Sequence, residues 1–268
     1  MKINRRFEWV YVILTIFTVA LLISKADFYN SDSYYQNSFL TKALLSAFIF
    51  TLIIRDSGSK LRSLGAWWVH SLAAVGMLAC AIYLSVSAMN FDISRAEMFF
   101  FLGQNFMTAV IEEGLFRVYL FFRLFKFFEN SKDPFRRALL LSSILFSLCH
   151  LIMVFRLEFD LFSAISYLFI AFSLGILLQI IFISTKSILW PIAIHFSYNA
   201  LIHFSAFSYS TSGVPKDLSN TIPSSTLQSL LSLILFTLIG GVIILFSKTI
   251  HRARADENLR FINQVKLN

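Results

Sequence analysis

The sequence predicts an all-α, polytopic membrane protein of about eight transmembrane helices. Three observations carry that prediction. Of 268 residues, 57% are hydrophobic and only 14% are charged, against roughly a quarter charged in soluble domains. The mean hydropathy is +0.71. Several apolar runs reach the length of about 20 residues that crosses a ~30 Å hydrocarbon core. The alternating ten-residue segments of a membrane β-barrel are absent.

The runs, in order, fall at about 8–24, 38–54, 65–89, 98–122, 137–155, 161–183, 187–207 and 227–247. If eight helices alternate, one side of the membrane collects most of the basic residues. That side holds Lys2, Arg5 and Arg6, then Arg55, Lys60 and Arg62, then Arg123, Lys126, Lys132, Arg136 and Arg137. Lys186, and Lys248, Arg252 and Arg254 after the last run, fall there too. The other side receives only Lys25, Lys42, Arg95, Arg156 and Lys216. Cytoplasmic loops carry the Lys/Arg excess, so both termini are expected in the cytoplasm. The first run, followed by Ser24-Lys25-Ala26, has some features of a cleaved signal peptide. Its length and Lys25 favour a retained helix. The stretch Ser208 to Thr226 is rich in Ser, Thr, Pro and Gly and reads as an outside loop. With no internal repeat and no soluble segment, residues 1–268 read as a single membrane domain.

The net charge of +8 does not point to nucleic acid, because the basic residues cluster at the ends of apolar runs, where they orient helices and meet anionic headgroups. The 31 phenylalanines supply lipid-facing and packing bulk. Cys80 and Cys149 both lie inside apolar runs, without metal-type spacing. Cys149 precedes His150, but adjacent helical residues do not face each other, so a Cys/His nucleophile is disfavoured.

Ionisable residues deep in a membrane default to function, with a partner to be named. The fourth run holds "EEGLFR", Glu112 to Arg117. Glu113 and Arg117 are i and i+4 and can pair in the favourable order. Glu112 projects about 100° away and is left to exchange protons. The division of labour expected is Glu113 structural and Glu112 chemical. The fifth run holds "FSLCH", where Phe146 and His150 share a face, and the seventh "HFSYN", where His195 and Asn199 do. Two such donors in a water-poor site can stabilise an oxyanion. The competing reading is a set of packing polar clusters and interhelical clasps. At 1.5 Å per residue, Glu112 lies ~17 Å from the cytoplasmic end of its run, His150 ~20 Å, His195 ~12 Å and Asn199 ~18 Å. An acid, a base and two donors thus fall near one level. Pro191 marks a kink or the true start of the seventh helix. His70, beside Trp67 and Trp68, reads as an interfacial anchor, and His203 as an extension of the His195 stripe. Gln104, Asn105 and Gln179 read as interhelical hydrogen-bonding groups.

Together the motifs EExxxR, FxxxH and HxxxN resemble the CPBP family, which includes CAAX prenyl endopeptidases and bacterial Abi proteins. The resemblance covers about residues 98–204. It implies an eight-helix bundle with a polar intramembrane cavity and a glutamate-dependent endopeptidase. Carried over, Glu112 with His150 would activate water, and His195 with Asn199 would hold the oxyanion. Glu113, Arg117 and Phe146 would support the site. No motif position departs from the pattern.

The expected activity is therefore hydrolysis of a membrane-associated peptide or protein substrate, in a bacterial plasma membrane. The alternative is a non-proteolytic scaffold or a bacteriocin-immunity-type binding protein. A proton-relay transporter is disfavoured by the lack of repeats and broken helices. HExxH is absent, so no metal cofactor is expected, with zinc as the lesser possibility. The partners expected are that substrate and the lipid bilayer, with no nucleic acid.

Overall fold

A computed structural model describes residues 34–57, 67–89, 93–156, 161–185 and 187–211. All regular structure among them is helical. The elements are α1 (Tyr34–Ser57), α2 (Trp67–Ala88), α3 (Arg95–Glu113), a π-helical segment (Gly114–Leu120), α4 (Phe121–Phe127), α5 (Pro134–Cys149), α6 (Leu151–Arg156), α7 (Leu161–Thr185) and α8 (Leu189–Thr211).

Some of the starts have a local cause. Ser94 caps α3 through a capping box: its hydroxyl accepts the Glu97 amide at 3.2 Å, and the Glu97 carboxylate accepts the Ser94 amide at 2.9 Å. Asp133 accepts the Arg136 amide, and Pro134 supplies the first helical φ of α5. Pro191 is the third residue of α8, in its first turn, where a proline is tolerated.

The rod formed by α3, the π segment and α4 runs through the middle of the assembly. α1 packs along α3. α8 packs against α3, α2 and α7, and α5 packs against α7 and α4. Two apolar cores result. One gathers Ile111, Leu115, Phe116, Phe121, Leu139 and Phe182 around the π segment. The other gathers Leu84, Met98, Phe101, Ile192, Phe196 and Phe207 between α2, α3 and α8. In the second, the Phe101 and Phe207 rings stack at 4.2 Å. Close helix approach depends on Gly175 of α7, where an added Cβ would lie 3.1 Å from Ser143 Cβ and 3.3 Å from its Cα.

Among the described residues, three stretches are long and apolar enough to cross a membrane: Ser71–Ala88, Pro134–Phe155 and Leu161–Thr185. Their outer faces expose residues such as Leu72, Leu78, Ile82, Phe162 and Ile165, as lipid contact requires. The chain is an integral membrane protein. The full set of about eight spans is not established by these residues. The expected runs at 8–24 and 227–247, the possible signal segment and the C-terminal tail lie outside the described residues. So does the side chain of His70.

Three expectations need correction. The fourth run is not one α-helix ending near 122, because it changes to π hydrogen bonding at Gly114 and continues to Phe127. The fifth run keeps its span as Pro134–Phe155, but its helix is interrupted at His150, between α5 and α6. The outside loop does not begin at Ser208, since α8 continues to Thr211.

Candidate active site

The site is assembled where α3 and the π segment meet α5 and α8. Glu113 and Arg117 are both 0% exposed, and Arg117 Nε donates to Glu113 Oε2 at 2.8 Å. Arg117 Nη2 donates to Glu113 Oε1 at 3.3 Å. The pairing read from the i,i+4 spacing is therefore present, within an unusual backbone. A π segment bonds i to i+5 and is frequent at functional sites. It turns less per residue than an α-helix, which brings i and i+4 nearer to eclipse. Ser142 of α5 donates its hydroxyl to the Phe116 carbonyl at 3.4 Å, so a neighbouring helix serves one acceptor of this segment.

Glu113 has a second partner that the spacing did not reveal. His195 of α8, only 3% exposed, places Nδ1 2.7 Å from Glu113 Oε1. A carboxylate at that distance accepts, so Nδ1 carries the proton. The other ring nitrogen, Nε2, lies 3.6 Å from Glu112 Oε2. That separation is too long for a hydrogen bond, and Glu112 Oε2 has no hydrogen-bond partner among the described residues. The two carboxylates thus flank one imidazole and differ in environment. Glu113 is sealed and fully engaged, while the Glu112 side chain keeps 14% exposure.

His150 joins the site from α5. Its Nδ1 lies 2.8 Å from the Phe146 carbonyl, which can only accept, so in the neutral ring Nε2 is the basic nitrogen. The same contact coincides with the helix break. Phe146 O would ordinarily take the His150 backbone N–H. The side chain occupies it instead, and the amide turns to Ser147 O at 2.9 Å. A side chain competing locally for a carbonyl disturbs the helix ladder.

Phe146 is buried among the site groups. Its ring centroid lies 4.7 Å from the Arg117 guanidinium carbon, 4.7 Å from the His150 ring and 6.1 Å from the His195 ring. Tyr167 of α7, not foreseen from sequence, lies 5.8 Å from the His150 ring. Its signal would have been a lone tyrosine in an apolar run, which carries no information alone.

These contacts tie the three motifs of the sequence to one place. Residues 94–201 match the Rce1-like family, described as type II CAAX prenyl endopeptidase Rce1-like. The matched stretch begins at the Ser94 cap and takes in EExxxR, FxxxH and HxxxN. The resemblance to CPBP proteins is thereby shown over these residues, at the level of a protease family. No curated protein and no solved structure matches the chain.

Not every expected group is drawn into the site by a direct contact. Asn199 is half-buried one turn beyond His195 and makes no hydrogen bond to a described residue. Among the described residues, no interhelical hydrogen bond is seen for the three amides expected to make one. Asn105 bonds the Phe101 carbonyl of its own helix at 2.8 Å. Gln104 Oε1 and both amide atoms of Gln179 are buried without a hydrogen-bond partner among the described residues. His203 is exposed. Among the described residues, no group of three or more His, Cys, Asp or Glu is placed to hold a metal ion.

Proposed function

We propose that the chain is an intramembrane endopeptidase in which Glu112 acts as general base on water. The observation that carries this reading is the contrast between the two adjacent carboxylates. Glu113 is consumed by Arg117 and His195, whereas the Glu112 side chain keeps 14% exposure and its Oε2, itself buried, has no hydrogen-bond partner among the described residues. A base must be free to take a proton and within reach of water. The family match over residues 94–201 supports the reaction class.

In this mechanism Glu112, assisted by Nε2 of His150, takes a proton from water as the oxygen attacks the scissile carbonyl. His195, when it carries a proton on Nε2 as well as on Nδ1, presents Nε2–H, and Asn199 presents its amide, to the developing oxyanion. With His195 Nε2 3.6 Å from Glu112 Oε2, donor and base can flank a single tetrahedral carbon. Glu113 holds the ring by Nδ1, as a carboxylate orients an imidazole in other hydrolases. Glu112 then returns the proton to the leaving amine, so no covalent intermediate forms and no metal is required. The substrate is a membrane-associated peptide or protein, the membrane a bacterial plasma membrane, and both termini are cytoplasmic. The chain functions as a single domain.

The test is to compare Glu112→Gln and Glu113→Gln in the native host, with membrane and secreted peptides profiled by mass spectrometry. Glu112→Gln should accumulate an uncleaved precursor at normal protein abundance. Glu113→Gln should lose activity together with folded protein. A peptide profile unchanged by Glu112→Gln would rule out the protease reading.

A further inference from the structure

We infer that Phe146 is a positioning residue whose ring face fixes the Arg117–Glu113–His195 chain in its working orientation. The inference rests on the proposed reading for its meaning, and on geometry for its support. Arg117 offers three nitrogens. Nε and Nη2 serve Glu113, and Nη1 has no hydrogen-bond partner among the described residues. Two bonds at one edge leave the guanidinium plane able to swing about that edge. The face of Phe146, with its centroid 4.7 Å from the guanidinium carbon, is the contact that stops the swing. A ring's negative face attracts a cation, and the attraction grows where water is excluded. Here the cation is fully enclosed and Phe146 is 1% exposed.

The consequence passes along bonded atoms. Arg117 sets the carboxylate plane of Glu113 through both oxygens. Glu113 Oε1 is also the atom that His195 Nδ1 reaches at 2.7 Å. A guanidinium that tilts moves this oxygen, and the imidazole follows. Nε2 then leaves its place beside Glu112. The same ring also packs against His195 and His150 directly, and Phe116 meets it edge-on at 5.0 Å, which holds the ring itself. An aliphatic residue of similar bulk would fill the space but would present no face to the cation.

The test separates ring electronics from ring size. A fluorine series on the Phe146 ring, introduced by amber suppression, weakens the face attraction stepwise at nearly constant shape. The first readout needs no substrate. In detergent-solubilised full-length protein with labelled histidine, the Nδ1–H resonance of His195 is followed by NMR and assigned with His195→Gln. The expected result is a graded shift of this resonance with each fluorine, while the helical circular dichroism stays constant. The second readout is turnover of the accumulated precursor, with kcat and KM separated. The fully fluorinated ring should lower kcat roughly ten- to thirty-fold with KM unchanged. Phe146→Leu should behave like the fully fluorinated ring, and Phe146→Tyr should keep most of the wild-type resonance position. A resonance that does not move across the series overturns the inference, as does a kcat independent of fluorine number. If wild type cleaves nothing, the protease reading fails separately, and the resonance series still decides the role of Phe146.

Discussion

Removing Arg117 should cost more stability than any ordinary polar contact within this membrane protein. Polar contacts between membrane helices average near 0.6 kcal/mol, because the unfolded chain in lipid also finds partners. The Glu113–Arg117 pair differs in being charged, bidentate and wholly enclosed, with bonds of 2.8 and 3.3 Å. Arg117→Met keeps much of the length and leaves Glu113 as an enclosed carboxylate with only His195 beside it. Breaking a buried pair in this way costs about 3–5 kcal/mol. Glu113→Gln alone should cost a similar amount, since it strands the cation against Phe146. The double variant removes both charges and should cost only about 1–2 kcal/mol, well below the sum of the singles. The assay is reversible unfolding in bicelles by steric trapping, run as a double-mutant cycle. Raising salt from 0.1 to 1 M should leave the coupling unchanged, because an enclosed pair is poorly screened. Single variants that cost under ~1 kcal/mol, or a double variant equal to their sum, would refute the argument that these charges are held against desolvation by each other.

Other outcomes follow from single contacts. Asn199→Ala should leave thermal stability unchanged, since the amide bonds no described residue, yet lower turnover of the precursor by about 100-fold or more if it holds the oxyanion. Gly175→Ala should destabilise by about 1–3 kcal/mol, because the new methyl meets Ser143 backbone and Cβ at 3.1–3.3 Å; thermal unfolding of the purified protein measures it. Gly103→Ala should also destabilise, since its Cβ would lie 2.8 Å from the Phe39 ring, and adding Phe39→Leu should recover part of the loss. Ser94→Ala removes half of a capping box and should cost about 0.5–2 kcal/mol by the same assay.

How much of this was legible in the sequence depends on the range of each interaction. The helices were legible, because hydrophobic run length is a local property that bilayer thickness enforces. The Glu113–Arg117 pair was legible for the same reason: both partners sit on one turn. The gathering of the three motifs was legible only through resemblance, since run-end counting gives depth but no azimuth. What escaped is where one atom serves two demands. The Phe146 carbonyl lies one turn from both the His150 amide and the His150 ring, and only packing decides which takes it. Here the ring takes it where α5 ends, and no glycine or proline marks the place. Likewise, Glu113 was assigned wholly to Arg117, because spacing cannot disclose a partner 82 residues away. That second bond changes the part played by the glutamate pair. The sealed carboxylate becomes the orienting group for the imidazole that the other carboxylate faces. Two neighbouring glutamates can differ in role while sharing a histidine because one helix position points into the α8 contact and the next points past it. The charges in the fourth run are therefore one network, and a chemistry confined to Glu112 would still depend on every member of it.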